Sequence, residues 1–136
     1  MNKKIAILDY GLGNIMSLAR AIESLDGNVV VSSSQEKINQ SDILIIPGVG
    51  SFGKAMEELN KKNLLQTIDK FIKSGRTVMG ICLGMQILFE SSEESKGISG
   101  LGILTGEVIK IPTSGLLKKR KIPHIGWNKI YSSKDD

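Results

Sequence analysis

The chain has 136 residues, 40% hydrophobic and 24% charged, with a formal net charge of +4 and a single cysteine. That profile fits one globular domain over residues 1–136, large enough to bury a core. It excludes an internal disulfide, and no apolar run reaches the ~20 residues of a membrane span.

The N-terminus opens MNKK like a secretory signal, but Asp9 ends the apolar stretch Ile5 to Leu8, so the expected setting is cytoplasmic. Lys4 to Asp9 reads as a buried strand running into the glycine loop Tyr10-Gly11-Leu12-Gly13. From Asn14, a good N-cap, the spacing of Ile15, Leu18, Ala19, Ile22 and Leu25 predicts a helix that stops at Gly27. Asn28 to Ser32 is a second strand, and Asp42 to Pro47 a third, broken by Pro47-Gly48. Helices follow over Phe52 to Lys62 and Leu64 to Ser74, the latter ended by Gly75. Thr77 to Ile81 is the fourth strand, with a helix expected over Leu83 to Glu90. Beyond Ser91, strands are expected over Glu107 to Ile111 and Lys121 to Ile130. Apolar strands alternating with helices imply an α/β fold, a doubly wound, mainly parallel sheet with helices on both faces.

In such sheets function gathers at the carboxyl ends of the strands. Three glycine-bearing stretches lie there: GLGN, PGVGSFG and GICLGMQ. In the last, Cys82 stands between Gly80 and Gly84 at a strand-to-helix turn, the logic of a nucleophile elbow. The turn exposes the sulfur, and a helix beginning at Leu83 favours its thiolate. The N–H of Leu83 is then placed to donate to an oxyanion, and Gln86 lies one turn further on the same face. Gly48 and Gly50 free the backbone around Val49, so that a peptide there can turn its N–H toward a ligand. A dinucleotide fingerprint fails, because G-x-G-x-x-G needs glycine where Met16 stands. Aromatic residues make up only 4% of the chain, too few for stacking on single strands. The basic cluster Lys118, Lys119, Arg120 and Lys121 therefore reads as a solvated loop, not as a nucleic-acid site.

GICLGMQ together with PGVGSFG closely resembles the class I (triad-type) glutamine amidotransferases, whose fold is flavodoxin-like. DYGLGNIMSL and PHIGWN, Pro123 to Asn128, narrow the resemblance to the glutaminase subunits of histidine biosynthesis. Those subunits pass ammonia to a (β/α)8-barrel cyclase that makes imidazole glycerol phosphate. The resemblance implies Cys82 as the nucleophile toward glutamine, and Leu83 with Gly48, Val49 and Gly50 as the oxyanion hole. It implies Gln86 as a glutamine contact. Asn14, His124, Trp127 and Asn128 are implied to lie near the barrel partner in a heterodimer. No cofactor, metal, nucleic acid or membrane is implied.

The family's base is a histidine in a C-terminal F-x-x-H-P-E-like motif, which this sequence does not contain. Its one histidine, His124, falls in the HIGWN match. The C-terminal part of the domain, with the family His and Glu, is therefore expected to be missing, and the 136 residues alone to be inactive. Two alternatives stay open: a paralogue feeding a surface-sugar amidating synthase, and a truncated, non-catalytic binding module.

Overall fold

The computed structural model describes residues 3–112, 126–129 and 131. Among them the chain runs β1 (Lys4–Leu8), α1 (Ile15–Glu23), β2 (Asn28–Ser32), α2 (Gln35–Asn39), β3 (Ile43–Ile46) and α3 (Phe52–Lys61). It continues through α4 (Leu65–Lys73), β4 (Thr77–Gly80), α5 (Leu83–Gln86), β5 (Phe89–Ser92), a 3₁₀ turn over Glu93–Ser95, and β6 (Leu104–Val108).

Four strands form an all-parallel sheet in the order β2-β1-β3-β4. Parallel neighbours need crossovers, and helices supply them, so both faces of the strands meet apolar side chains. Ala6, Leu8, Leu44 and Ile46 point to one face, where Ile38, Phe52, Leu59, Ile68, Phe71 and Leu83 from the four later helices pack on them. Ile7 and Ile45 point to the other, against Ala19 of α1 with Ile15, Leu18 and Ile22 around it. The period-2 alternation of each strand is thus spent on two cores. In β4 the pattern weakens: Met79 is 53% exposed, while its register neighbour Ile45 is buried.

The chain moves outward in one direction from β1 to β2 and in the other from β3 to β4. The reversal leaves a crevice at the carboxyl ends of β1 and β3. Cys82 follows β4 on the same rim.

Four local expectations are corrected. The short helix α2 was not predicted, because Ile38 is its single apolar residue and periodicity has nothing to register. The helix expected over Leu83 to Glu90 ends at Gln86. The N–H groups of Leu101, Ile103 and Leu104 reach the carbonyls of Ile87 and Leu88, and β5 pairs in parallel with β6. Ile87, Leu88 and Phe89 suit strand as well as helix, and long-range pairing decides between them. The later strand covers Leu104–Val108, earlier than Glu107 to Ile111. At the end of α1, Asp26 and not Gly27 takes the left-handed conformation, with φ 58°. Gly27 is required for space: a Cβ there would sit 2.4 Å from Cγ2 of Ile22.

Most of the strand expected over Lys121 to Ile130, the basic cluster at 118–121 and His124 lie outside the described residues. Among the described residues no helix is long and apolar enough to cross a membrane.

Candidate active site

The turn after β4 is held from several sides. Ile81 donates its N–H to Ile46 at 2.9 Å, Gly84 to Ile81 at 3.0 Å, and Met85 and Gln86 both to the carbonyl of Cys82. Between these anchors Cys82 is forced to φ 55°, ψ −115°, a conformation that costs a non-glycine residue about 1–3 kcal/mol. Its side chain is exposed. Gly80 and Gly84 are glycines for a measurable reason. A Cβ on Gly80 would lie 2.5 Å from Cα of Met85, and one on Gly84 only 1.8 Å from the carbonyl oxygen of Ile46. The backbone of the elbow lies directly against the end of β3, and no side chain fits between them.

Leu83 buries its side chain in the core at 2% exposure. It is the first residue of α5, so its N–H has no intrahelical acceptor. With α5 only one turn long, the helix dipole expected to favour a thiolate is small.

The loop after β3 packs on this elbow. A Cβ on Gly48 would meet the Tyr10 hydroxyl at 2.5 Å, Cβ of Leu83 at 2.9 Å and N of Gly84 at 3.0 Å. Gly48 is therefore a glycine for close approach, whereas Gly50 is one for its φ of 115° and faces open space. Val49 between them is 55% exposed. The GLGN loop closes the third side, since a Cβ on Gly13 would touch Pro47 at 3.2 Å. The three glycine stretches singled out in the sequence do meet.

A cavity of about 490 Å³ adjoins the second and third of these stretches through Gly50 and Gln86, though Cys82 does not line it, and is otherwise walled by residues that include Ser92, Glu93, Glu94 and Lys110. The last four were missed at the sequence level. For Ser92, Glu93 and Glu94 the signal was the polar run SSEES, which carries no recognisable spacing, and Lys110 had none. Glu94 Oε2 accepts the N–H of Phe52 at 2.9 Å and Ser95 Oγ that of Gly53 at 2.9 Å. The 3₁₀ turn thereby caps α3, whose own N-cap Ser51 makes no side-chain cap bond. Glu93 Oε2 accepts the N–H of Lys110 at 2.8 Å, which fixes the far wall.

Tyr10 was also missed. It is fully buried, donates its phenolic O–H to the carbonyl of Pro47 at 2.7 Å, and has its pKa pushed up to about 12, first by burial and then by the charge of Cys82. Asn14, Trp127 and Asn128 are exposed, Trp127 fully so. Among the described residues no three His, Cys, Asp or Glu side chains gather as metal ligands.

The model of the glutamine amidotransferase class-I family matches residues 6–135 of the chain. The chain belongs to that family. It is 47% identical over 131 residues to the imidazole glycerol phosphate synthase subunit HisH of Bacillus cereus, covering 96% of this chain and 60% of that protein. With the subunit of the same name from Sulfurimonas denitrificans it shares 42% over 128 residues, 94% of this chain and 62% of that one. The family member described here thus spans about three fifths of the length of these relatives. Among solved structures, a glutamine amidotransferase superposes with a TM-score of 0.66 at 19% identity, over 77% of this chain and 55% of that one. A putative peptidase E from Listeria monocytogenes gives 0.60 at 14%, over 75% and 63%. These two confirm the α/β fold with its mainly parallel sheet.

Proposed function

We propose that this chain is the nucleophile-bearing part of a glutaminase that hydrolyses L-glutamine to glutamate and ammonia. The observation that carries the reading is Cys82, an exposed thiol held at positive φ between two glycines that admit no side chain. Strain retained at an exposed nucleophilic side chain marks a site of chemistry more than of packing.

The chemistry follows from the arrangement. Sγ of Cys82, as thiolate, attacks the side-chain amide carbon of glutamine, and the carbonyl π electrons move onto oxygen. That oxyanion is received by the N–H of Leu83 and by a peptide of the Gly48-Val49-Gly50 loop. Collapse breaks the C–N bond, and a protonated general acid gives its proton to the leaving nitrogen, so ammonia departs and a thioester remains. Water, deprotonated by the same group, cleaves the thioester to glutamate and restores the thiol. Gln86, on the cavity wall, orients the substrate. The carboxylates of Glu93 and Glu94 and the ammonium of Lys110 give that cavity both signs of charge, which suits the two charged groups on the α-carbon of an amino acid. The acid–base group is assigned to sequence outside these 136 residues, not to His124.

The relatives' name supports a destination for the ammonia: a cyclase subunit, of (β/α)8-barrel form, that makes imidazole glycerol phosphate in histidine biosynthesis. Asn14, His124, Trp127 and Asn128 are proposed to face it in a cytoplasmic heterodimer. The full exposure of Trp127 suits an aromatic anchor of an interface.

The test is labelling of the native protein with a diazo-ketone analogue of glutamine, with ammonia release measured with and without the cyclase. Label on Cys82 alone, lost in Cys82→Ser together with activity, is expected. Label elsewhere, or retained in Cys82→Ser, ends the assignment. The 136-residue chain by itself is expected to release ammonia at least ~10²–10⁴-fold more slowly, for want of a positioned acid–base group.

A further inference from the structure

β1 and β3 flank the crevice where the strand order reverses, and each ends in a residue that reaches across it. Tyr10, two residues past β1, is fully buried, and a buried phenol needs a partner. It donates to the carbonyl of Pro47, the residue that follows β3, at 2.7 Å, the favoured length for an O–H···O bond. The same oxygen lies 2.5 Å from where a Cβ on Gly48 would stand. One phenol oxygen therefore underlies both ends of the Pro47–Gly48 peptide. On its other sides Gly48 is closed in by Leu83 and Gly84 of the elbow.

A peptide is planar and trans, so fixing its C=O fixes its N–H in the opposite direction. The Pro47 ring removes rotation about its own φ as well. The next residues are unlike it: Val49 is half exposed, and Gly50 sits at φ 115° with nothing around its α-carbon. The loop is clamped at its start and free at its end.

We infer that Tyr10 is a positioning residue for glutamine hydrolysis: it holds the Pro47–Gly48 peptide against the Cys82 elbow and confines any turning of the oxyanion loop to the peptides of Val49 and Gly50. The inference rests on the glutaminase reading above. Nothing in it requires Tyr10 to touch substrate. With its pKa pushed up to about 12 by burial, the phenol remains a donor at neutral pH and does not compete as a base.

The test compares Tyr10→Phe with wild type in the complete native protein with its cyclase, by amide hydrogen exchange and steady-state kinetics. Loss of one hydrogen bond is expected to speed exchange of the buried Gly48 amide about 10-fold, with exchange in β1 and β2 unchanged. A misplaced oxyanion donor is expected to lower kcat ~10–100-fold, while KM, set by the cavity, stays within about two-fold. Replacing Tyr10 with 4-aminophenylalanine, which keeps a donor at the same place, is expected to restore both. Exchange at Gly48 that does not change, or that rises equally throughout the domain, overturns the inference, and so does local loosening with kcat intact. A wild-type protein that does not hydrolyse glutamine refutes the glutaminase reading instead. In that case the exchange at Gly48 still decides whether Tyr10 holds the loop.

Discussion

Gly84→Ala perturbs the contact on which the elbow is built. The new methyl group would start 1.8 Å from the Ile46 carbonyl oxygen and 2.7 Å from its carbon, both backbone atoms of a central strand. Reaching an ordinary 3.4 Å contact asks for about 1.6 Å of movement, and neither partner moves freely. Ile46 sits in β3, paired on both sides of the strand, and its carbonyl already accepts from Ile81 at 2.9 Å. Gly84 lies between Leu83, locked in the core, and Met85, whose N–H is bonded to Cys82. Overpacking of this kind costs about 1–3 kcal/mol, and loss of the Ile81–Ile46 bond adds about 1 kcal/mol. For a domain of this size that is a fall in Tm of about 10 °C. Thermal melts by circular dichroism read it directly, with Gly75→Ala as a comparison in which φ is positive but space is open. Alkylation of Cys82 by iodoacetamide reports whether the elbow has moved. A Gly84→Ala protein that melts within about 2 °C of wild type and alkylates at the same rate would refute the close-approach argument.

The strain at Cys82 predicts that Cys82→Gly is more stable than Cys82→Ala by about 1 kcal/mol, the reverse of the order at ordinary positions. Denaturant midpoints showing alanine equal or better would remove the strain. Glu94→Ala deletes a charge-assisted cap on α3 and should cost about 1 kcal/mol, with the loss seen as faster exchange of the Phe52 and Gly53 amides. The Tyr10 phenol, raised from 10 to about 12 in the fold, binds its proton more tightly folded than unfolded. Its contribution to stability is then fully present below pH 10 and is lost as pH rises toward 12. In Tyr10→Phe that alkaline decline should flatten, and an unchanged pH profile would contradict the raised pKa.

The parallel sheet was legible because each strand is a short apolar run bounded by glycine, proline or acid, and the parent helices carry a clean 3.6-residue stripe. Cys82, Gly48 and Gly50 were legible because small residues at fixed offsets survive as pattern in one dimension. What escaped reading is whatever depends on partners far along the chain. Ile87 to Phe89 look helical until residues 101–104 donate to them. Glu94 and Lys110 look like surface charge until they are seen to wall a cavity. Tyr10 resembled one more residue of a glycine loop, since nothing nearby in sequence reveals that its hydroxyl ends at Pro47. The α2 segment fell below any periodic signal with its one buried isoleucine.

The cap of α3 by residues 42 positions further on bears on the order in which the domain assembles. A helix with a local cap can consolidate its first turn as soon as it leaves the ribosome. α3 cannot, because Glu94 and Ser95 emerge after four more secondary-structure elements. Closing so long a loop before its contacts reward it is entropically costly. The first turn of α3 should therefore be unformed in the folding transition state, with φ-values near zero at Glu94. Weakening the cap would then leave the folding rate unchanged and appear almost entirely as faster unfolding.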